Sequence, residues 1–238
     1  MTMKTVAIIP AGGAGKRFNK NKADTKKQFI ELEGIPILAR TLIALSKAPQ
    51  IDEIIVVVPP GGIDYTRIEI VEKYDIPKVS AIAVGGDTRQ ESMSNGLKHV
   101  AKNIDLILVH DGVRPFVTQK MIGDVIKAAG ESGAAITAIR PFDTVKTVDG
   151  GFVQSTLKRD GIALAQTPQC FRYSILKNAV SKAEAENFTG TDEAVLVELM
   201  GVKALLVEGA TTNIKITAPE DLKLAEAILA LADADQQT

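Results

Sequence analysis

A glycine-rich turn after an apolar stretch near the N-terminus constrains this chain more than any other feature. Residues 6–9 are apolar and bounded by Pro10, a pattern typical of a buried parallel strand. Gly12, Gly13 and Gly15 follow, so bare backbone N–H groups can approach an anion without a Cβ in the way. Positive charge surrounds the same turn, at Lys16, Arg17, Lys26 and Lys27. The stretch therefore predicts a site for a polyphosphate.

Two well-known phosphate-binding motifs do not fit this turn. The dinucleotide motif GxGxxG, started at Gly13, places Phe18 where the third glycine is required. A P-loop requires a glycine where Pro10 stands and Ser or Thr where Arg17 stands. The failed dinucleotide motif disfavours an NAD-dependent oxidoreductase, one of the alternative functions for such a chain.

Length and composition set the remaining limits. With 238 residues, 45% of them hydrophobic, the chain suits a single α/β domain with a sizeable core, 1–238. The net charge of −1 argues against a nucleic-acid partner. We expect a cytoplasmic protein, because no run approaches the ~20 apolar residues of a membrane helix and no signal-peptide pattern is visible. Cys170 is the only cysteine, and we interpret it as structural.

Strand and helix patterns alternate along the chain. Apolar runs predict strands at 6–9, 54–58, 80–84, 105–109, 134–139, 204–207 and 213–217. Helical spacing predicts helices at 36–48, 64–74, 89–101, 119–130, 173–186 and 192–200, and a last one after Thr217. This order predicts an α/β fold with a mostly parallel sheet covered on both faces, and ligands at the carboxyl ends of the strands.

The alternation breaks at residues 141–171. A DGG turn at 149–151 and a second turn at Asp160 and Gly161 predict hairpins that protrude as a β arm. The arm carries apolar side chains that a lone hairpin cannot bury, at Phe152, Val153, Leu157 and Ile162. We therefore expect a partner to cover it.

Seven short motifs occur in order: AGGAGKR at 11–17, KKQF at 26–29, VGGDTRQESMSNGL at 84–97, VHDGVRPFV at 109–117, PFDTVK at 141–146, the KR and QTPQ of the arm, and NIKIT at 213–217. Together they resemble the 2-C-methyl-D-erythritol 4-phosphate cytidylyltransferase family over nearly the whole chain. The resemblance implies a Rossmann-like three-layer nucleotidyltransferase fold.

The resemblance also implies an activity: transfer of CMP from CTP to methylerythritol phosphate, with Mg²⁺ bound mainly through the CTP phosphates. The implied catalytic residues are Arg17, Lys27 and Lys215. The implied CTP-binding residues are Ala11, Gly12, Gly13, Gly15, Gly85, Gly86, Asp87 and Ser92. The implied acceptor-binding residues are Asp111, Arg114, Thr144, Arg159 and Thr167. Members of the family work as homodimers in which the arm reaches the neighbouring site, so we expect Thr144, Arg159 and Thr167 to come from the partner.

Other functions share part of this pattern. A ribitol 5-phosphate or other polyol-phosphate cytidylyltransferase shares many of the motifs, but DTVK at 143–146 and GTDEAVLVE at 190–198 favour the methylerythritol enzyme. A non-catalytic nucleotide-binding module is a third possibility. Arg89 fits either a helix-start charge or a site residue, whereas His110 fits a packed residue at a strand end. No carboxylate is assigned to a metal, and the path of residues 18–25 is left open.

Overall fold

The computed structural model describes residues 3–12 and 27–235, with only the backbone for 27 and 233–235. In chain order its strands are β1 (Thr5–Pro10), β2 (Glu31–Leu32), β3 (Ile35–Pro36), β4 (Glu53–Val58), β5 (Val79–Val84), β6 (Leu106–Val109), β7 (Ala134–Ile139), β8 (Lys146–Asp149), β9 (Phe152–Thr156), β10 (Leu164–Arg172) and β11 (Leu205–Glu208). The α-helices are α1 (Ile37–Ser46), α2 (Ile63–Tyr65), α3 (Arg89–Leu97), α4 (Gln119–Ser132), α5 (Tyr173–Ala185), α6 (Glu193–Glu198) and α7 (Glu220–Asp235). Helix α2 continues into π-helical turns over Thr66–Glu72, and short 3-10 turns occupy Lys27–Phe29 and Arg159–Gly161.

Seven strands form one sheet in the order β11, β7, β10, β6, β1, β4 and β5. β10 is antiparallel to both neighbours, whereas every other neighbouring pair is parallel. The predicted α/β fold with a mostly parallel sheet is confirmed. From β1 the chain first builds β4 and β5 on one side and then β6 on the other. Ligands bind at such a reversal, outside the carboxyl ends of the strands.

Strand β1 shows why the central strands have continuous apolar runs. Ala7 and Ile9 face the cluster that includes residues of α1 and α4, while Val6 and Ile8 face the cluster that includes residues of α3 and α5. All four side chains are at most 1% exposed. A strand buried on both faces has no polar side to alternate with, so the run of consecutive apolar residues is the expected pattern.

The segment predicted to be an arm divides into two parts. β8 and β9 pair as an antiparallel hairpin around the DGG turn, as expected, and every residue of both strands is exposed. The turn at Asp160 and Gly161 does not open a second protruding hairpin, because the chain then enters β10 between β6 and β7. Residues 166–171 are buried there. Burial against two neighbouring strands outweighs the local turn signals.

One predicted strand is absent: residues 213–217 form no strand. This segment contacts the loop after β6 instead, since Ile216 N–H donates to Val113 O at 3.0 Å and Arg114 donates to Asn213 O at 2.7 Å. Among the described residues, no helix is both long and apolar enough to cross a membrane.

Candidate active site

One wall of the site, the glycine wall, is formed by the main chain of Gly12 after β1 and of Gly85 and Gly86 after β5. A Cβ added to Gly85 would lie 3.4 Å from the Cα of Gly12 and 2.8 Å from Ser92 Oγ. The two segments therefore pass each other in direct contact, with Ser92 beneath them. The Ser92 hydroxyl donates to Thr88 O at 2.9 Å and accepts from the Gly86 N–H at 3.2 Å. This serine is 2% exposed, so it acts here as a support for the glycine loop.

Helix α3 begins directly after this loop with a reciprocal cap. Thr88 accepts a hydrogen bond from the Glu91 N–H, and Glu91 Oε2 accepts from the N–H groups of Asp87, at 2.7 Å, and Thr88. Gly86 leaves room for that carboxylate, because an added Cβ would lie 2.4 Å from Glu91 Cβ. The sequence GGDTRQE is thus a glycine turn followed by a capping box. Three of the predicted CTP residues, Gly85, Gly86 and Asp87, lie in this turn, with Ser92 packed below it.

Asp111, which follows β6, is the centre of the second part of the site. Its Oδ2 lies 2.8 Å from Lys215 Nζ and 3.4 Å from Arg114 Nε, and its Oδ1 lies 3.2 Å from Arg89 Nε. The Asp111 side chain is 8% exposed. Asp111 is thus a buried carboxylate whose charge is balanced by cations from three separate chain segments.

The ionisation of Asp111 follows from these neighbours. Burial by itself raises the pKa of a carboxyl group, but Arg89, Lys215 and Arg114 together hold the pKa of Asp111 well below its usual range. Asp111 is therefore an ionised hydrogen-bond acceptor at neutral pH. Arg114 is anchored independently, because its Nη1 donates to Asn213 O at 2.7 Å. This bond ties the loop after β6 to the NIKIT segment that carries Lys215.

A chain of hydrogen bonds through Thr167 and His110 holds the backbone of Asp111 in place. The Asp111 N–H donates to Thr167 Oγ1 at 3.1 Å, and that hydroxyl lies 3.0 Å from His110 Nδ1. His110 Nε2 lies 3.0 Å from Arg114 O, which can only accept, so Nε2 carries the proton and Nδ1 accepts from Thr167. Burial lowers the pKa of His110 to about 4, and this tautomer is therefore neutral at pH 7. His110 is fully buried, as a packed strand-end residue should be.

Thr167 corrects one expectation. We expected it to reach a neighbouring subunit with the arm, but it lies in β10 and supports the Asp111 of its own chain. Its position in the central sheet is the reason, since the peptide between β6 and β7 cannot also protrude.

Arg89 and Glu193 form an ion pair that the sequence does not single out. Arg89 Nη1 donates to Glu193 Oε1 at 2.7 Å while its Nε contacts Asp111. Glu193 is the first residue of α6 and is 1% exposed. In the sequence Glu193 is simply an acidic residue in the first turn of a helix, directly after the Asp192 cap. Most acidic residues at such positions face solvent. Its burial becomes visible only in the fold.

The Asp111 cluster borders a cavity of about 240 Å³. Besides four charged residues of the cluster, its lining residues are Ala165, Gln166, Thr167, Gln169, Thr191 and Asp192. Neither Thr144 nor Arg159 belongs to this lining; both are exposed residues of the arm segment, and the guanidinium of Arg159 donates to Phe142 O. The structure brings together Asp111, Arg114, Thr167 and Lys215, and it leaves these two arm residues apart from them.

Several predicted residues lie outside the described part of the chain. These are Gly13, Gly15 and Arg17. Lys27 begins the 3-10 turn Lys27–Phe29, but its side chain is not among the described groups. Cys170 is fully buried in β10, and burial raises the pKa of its thiol, so it stays protonated at neutral pH.

The described residues offer no ready protein cage for a metal. No group of three or more His, Cys, Asp or Glu side chains within 3–12 and 27–235 is arranged to hold an ion. Asp111 borders the cavity, and both of its oxygens already contact cationic side chains. A divalent cation does not fit at Asp111 in this arrangement.

Comparison with known proteins agrees with this geometry. The family model described as "2-C-methyl-D-erythritol 4-phosphate cytidylyltransferase" matches residues 5–231. A protein of that name from Syntrophus aciditrophicus is 46% identical over 96% of this chain and 97% of its own length, and one from Geobacter metallireducens is 45% identical over 95% and 98%.

Solved structures give the same result. The 4-diphosphocytidyl-2C-methyl-D-erythritol synthase of Anaerococcus prevotii matches with a TM-score of 0.84 and 34% identity, covering 96% of this chain and 97% of that one. The 2-C-methyl-D-erythritol 4-phosphate cytidylyltransferase of Thermus thermophilus matches with a TM-score of 0.76 and 34% identity over 95% and 98%. The match spans the glycine turn, the Asp111 cluster and the arm alike, and the chain belongs to the 2-C-methyl-D-erythritol 4-phosphate cytidylyltransferase family.

Proposed function

We propose that this chain transfers CMP from CTP to the phosphate of 2-C-methyl-D-erythritol 4-phosphate. A phosphate oxygen of the acceptor attacks the α-phosphorus of CTP, a new P–O bond forms, and the bond from the α-phosphorus to the bridging oxygen breaks. Pyrophosphate leaves with that electron pair. The observation that carries the proposal is the cavity in which Arg89, Arg114 and Lys215 surround Asp111, in a chain of this family.

The reaction needs electrostatics more than proton transfer. The acceptor phosphate is already an anion at neutral pH, so no general base is required. Two anions must instead approach each other, and negative charge accumulates around the α-phosphorus in the transition state. Lys215 and Arg114 border the cavity and supply positive charge there. His110 is unsuited to act as a base, since both ring nitrogens already have hydrogen-bond partners and the ring is buried.

Asp111 suits the polyol part of the acceptor. An ionised carboxylate accepts hydrogen bonds from hydroxyl groups, and Asp111 remains ionised because of its cationic neighbours. Lys215, whose side chain is 37% exposed, contacts the same carboxylate and lines the cavity. It can therefore contact the acceptor phosphate while staying oriented by Asp111.

The nucleotide is assigned to the glycine wall. Ala11, Gly12, Gly85 and Gly86 present main-chain groups without bulky side chains, and fixed main-chain donors and acceptors can select the smaller pyrimidine base. Gly13, Gly15, Arg17 and Lys27 complete this assignment from the sequence, as the residues that hold the triphosphate. Arg17, Lys27 and Lys215 are the proposed catalytic cations.

Mg²⁺ is assigned to the CTP phosphates. The described side chains form no metal cluster, and magnesium in nucleotide sites is commonly held by substrate phosphates with few protein ligands. When bound there it would neutralise part of the triphosphate charge. The protein groups discussed above do the positioning.

A homodimer formed through the arm is part of the proposal. Phe152 and Val153 at the hairpin are 77% and 63% exposed, and apolar side chains of this kind need a cover. A groove of about 980 Å³ is lined by residues of the arm segment and of β11, among them Phe142, Ile162 and Leu206. In this dimer Thr144 and Arg159 contribute to the active site of the neighbouring subunit, whereas Thr167 contributes to the site of its own subunit.

The direct test measures pyrophosphate release from CTP and Mg²⁺ with methylerythritol phosphate, with ribitol 5-phosphate or with no acceptor. We expect fast release with methylerythritol phosphate alone, and a loss of about 100-fold or more in kcat for Lys215→Ala. Lys120→Ala, which removes an exposed lysine of a surface ion pair, is the matched control. Pyrophosphate release with ribitol 5-phosphate instead would mean that the enzyme carries out the same reaction on another acceptor. No release under any of the three conditions would favour a non-catalytic nucleotide-binding module.

A further inference from the structure

The pair formed by Arg89 and Glu193 has no place in the reaction described so far. Glu193 Oε1 accepts from Arg89 at 2.7 Å, and Glu193 Oε2 is buried with no hydrogen-bond partner among the described residues. Burial raises the pKa of Glu193 against the opposing effect of Arg89. Burying a carboxylate with only one of its two oxygens hydrogen-bonded lowers the stability of the fold. A functional role for the contact with Arg89 would explain why this arrangement is present.

The position of Glu193 is fixed by hydrogen bonds to the residues on both sides of it. Gln169 donates to Asp192 Oδ2 at 2.7 Å and accepts from the Ala194 N–H at 3.2 Å, which pins the start of α6 to β10. Gln90 on α3 donates to Phe188 O at 3.0 Å and accepts from the N–H of residue 190 at 2.9 Å. Gln90 therefore ties the first turn of α3 to the loop before α6, and Gln169 ties the start of α6 to β10, both without help from Arg89. Glu193 is a fixed anchor and Arg89 is the group that it orients.

Arg89 in turn acts on one particular oxygen of Asp111. Asp111 Oδ1 bonds Arg89, whereas Oδ2 bonds Arg114 and Lys215. The orientation of the carboxylate is therefore set by separate partners of its two oxygens. Without Arg89, the carboxylate is free to turn toward Lys215 and Arg114. After that rotation, the Asp111 oxygen that accepts a hydrogen bond from an acceptor hydroxyl would be misplaced. Lys215 would follow the carboxylate and move away from the acceptor phosphate.

We propose that Glu193 and Arg89 form a positioning relay that orients the Asp111 carboxylate for the acceptor, from the buried start of α6 to the cavity. This inference rests on the proposed function, because it assigns Asp111 to acceptor binding. Arg89 and Glu193 are positioning residues here and need not touch either substrate. The relay also explains why the carboxylate of Glu193 is buried rather than solvated.

The test is a double-mutant cycle with Arg89→Gln, Glu193→Gln and the double variant, measured as KM and kcat for each substrate. Hydrogen bonds to charged groups correspond to about 10- to 100-fold in binding, so each single variant should raise the acceptor KM about 10-fold or more. The CTP KM should stay within about twofold of wild type. Because both residues act through Asp111, the double variant should be no worse than the worse single variant.

A matched control and a second variant separate positioning from folding. Asp64→Asn and Arg67→Gln remove an exposed ion pair of similar length and should change neither KM. Equal rises in both KM values, or multiplied effects in the double variant, would indicate a purely structural role and overturn the relay. If Arg89→Gln does not fold, Arg89→Lys keeps the charge but lacks the separate Nε and Nη1 donors that contact Asp111 and Glu193, and an unchanged acceptor KM in that variant would also overturn the relay.

The wild-type measurement in the same series keeps the two proposals apart. A wild-type enzyme that turns over methylerythritol phosphate, with variants that match it, would refute the relay and leave the proposed function intact. A wild-type enzyme that neither binds methylerythritol phosphate by calorimetry nor turns it over would refute the proposed function, and the relay with it.

Discussion

At the scale of single residues, Asp111 decides the character of the site. It is an acid that stays ionised because three cations surround it, and the same cations are kept in place by it. The chain of hydrogen bonds from the Asp111 N–H through Thr167 to His110 holds its backbone, and it requires a neutral histidine. The site therefore combines an ionised carboxylate with a histidine that resists protonation.

The neutral state of His110 has a measurable consequence for stability. An unfolded histidine gains its proton near pH 6.5, whereas the pKa of folded His110 is about 4. Between these values the unfolded state binds more protons, so stability is complete above about pH 6.5 and falls as the pH drops toward 4. Between about pH 7 and about pH 5 this group alone should remove about 2 kcal/mol of the free energy of unfolding.

Urea unfolding at the two pH values checks this expectation with His110→Gln, which cannot titrate there. The variant should be less stable at pH 7, because a packed side chain is replaced, but it should lose less stability on acidification than wild type. His99→Gln is the control, since His99 is exposed. Parallel losses in wild type and His110→Gln would contradict the assignment.

At the scale of elements, the site depends on how loops leave the strands. The loop after β5 turns at Gly85 and Gly86 and immediately enters the capping box of α3. Most strands and helices could be predicted from apolar periodicity, because central strands and amphipathic helices carry that pattern locally. β10 and residues 213–217 could not, since their conformations are decided by neighbours: β6 and β7 in the first case, and the loop after β6 in the second.

Gly86→Ala tests the link between the glycine wall and the helix start. The new methyl would lie 2.4 Å from Glu91 Cβ, so Glu91 must move and release the N–H groups that it caps. Forcing an extra methyl into packed surroundings costs about 1–3 kcal/mol, and we expect a loss of stability in that range. The KM for CTP should rise while the acceptor KM changes less.

Thermal unfolding and initial rates at varied CTP measure both effects. Gly123→Ala is the control, because its added Cβ would meet only the end of the Gln50 side chain, at 3.2 Å, on a helix that alanine favours. An unchanged KM for CTP in Gly86→Ala would show that this turn does not contribute to CTP binding.

At the scale of the whole molecule, the fold gathers residues that are far apart in the chain. Asp111, Thr167 and Lys215 meet at the carboxyl ends of the sheet, and the motifs that carry them could be recognised in the sequence. Glu193 could not be recognised, because an acidic residue in the first turn of a helix is ordinary and only burial makes it unusual. The arm was predictable as a hairpin, but the sequence did not separate it from β10, since both follow turns.

Exchange of arms between subunits predicts a specific complementation. In a heterodimer of an Arg159→Ala chain with a Lys215→Ala chain, one site keeps its own Lys215 and receives an intact Arg159, and the other site lacks both. The purified heterodimer should recover about half of the wild-type rate, as expected for one working site in a two-fold dimer. Each homodimer should be nearly inactive.

Differentially tagged chains allow the heterodimer to be isolated, and its composition is checked by mass. A heterodimer as inactive as its parents would show that Arg159 does not serve the neighbouring site. A heterodimer of Lys120→Ala and wild type, fully active, is the control for the purification.

The most direct measurement of the central claim identifies the bond that is made. Phosphorus-31 NMR of the enzyme with CTP, Mg²⁺ and methylerythritol phosphate should show the acceptor monoester signal disappearing as two mutually coupled diphosphate signals and free pyrophosphate appear. Lys215→Ala should leave the spectrum nearly unchanged over the same time. Formation of CMP and pyrophosphate with the acceptor signal untouched would mean that water attacks the α-phosphorus, and it would contradict the assignment of the Asp111 cavity to the acceptor.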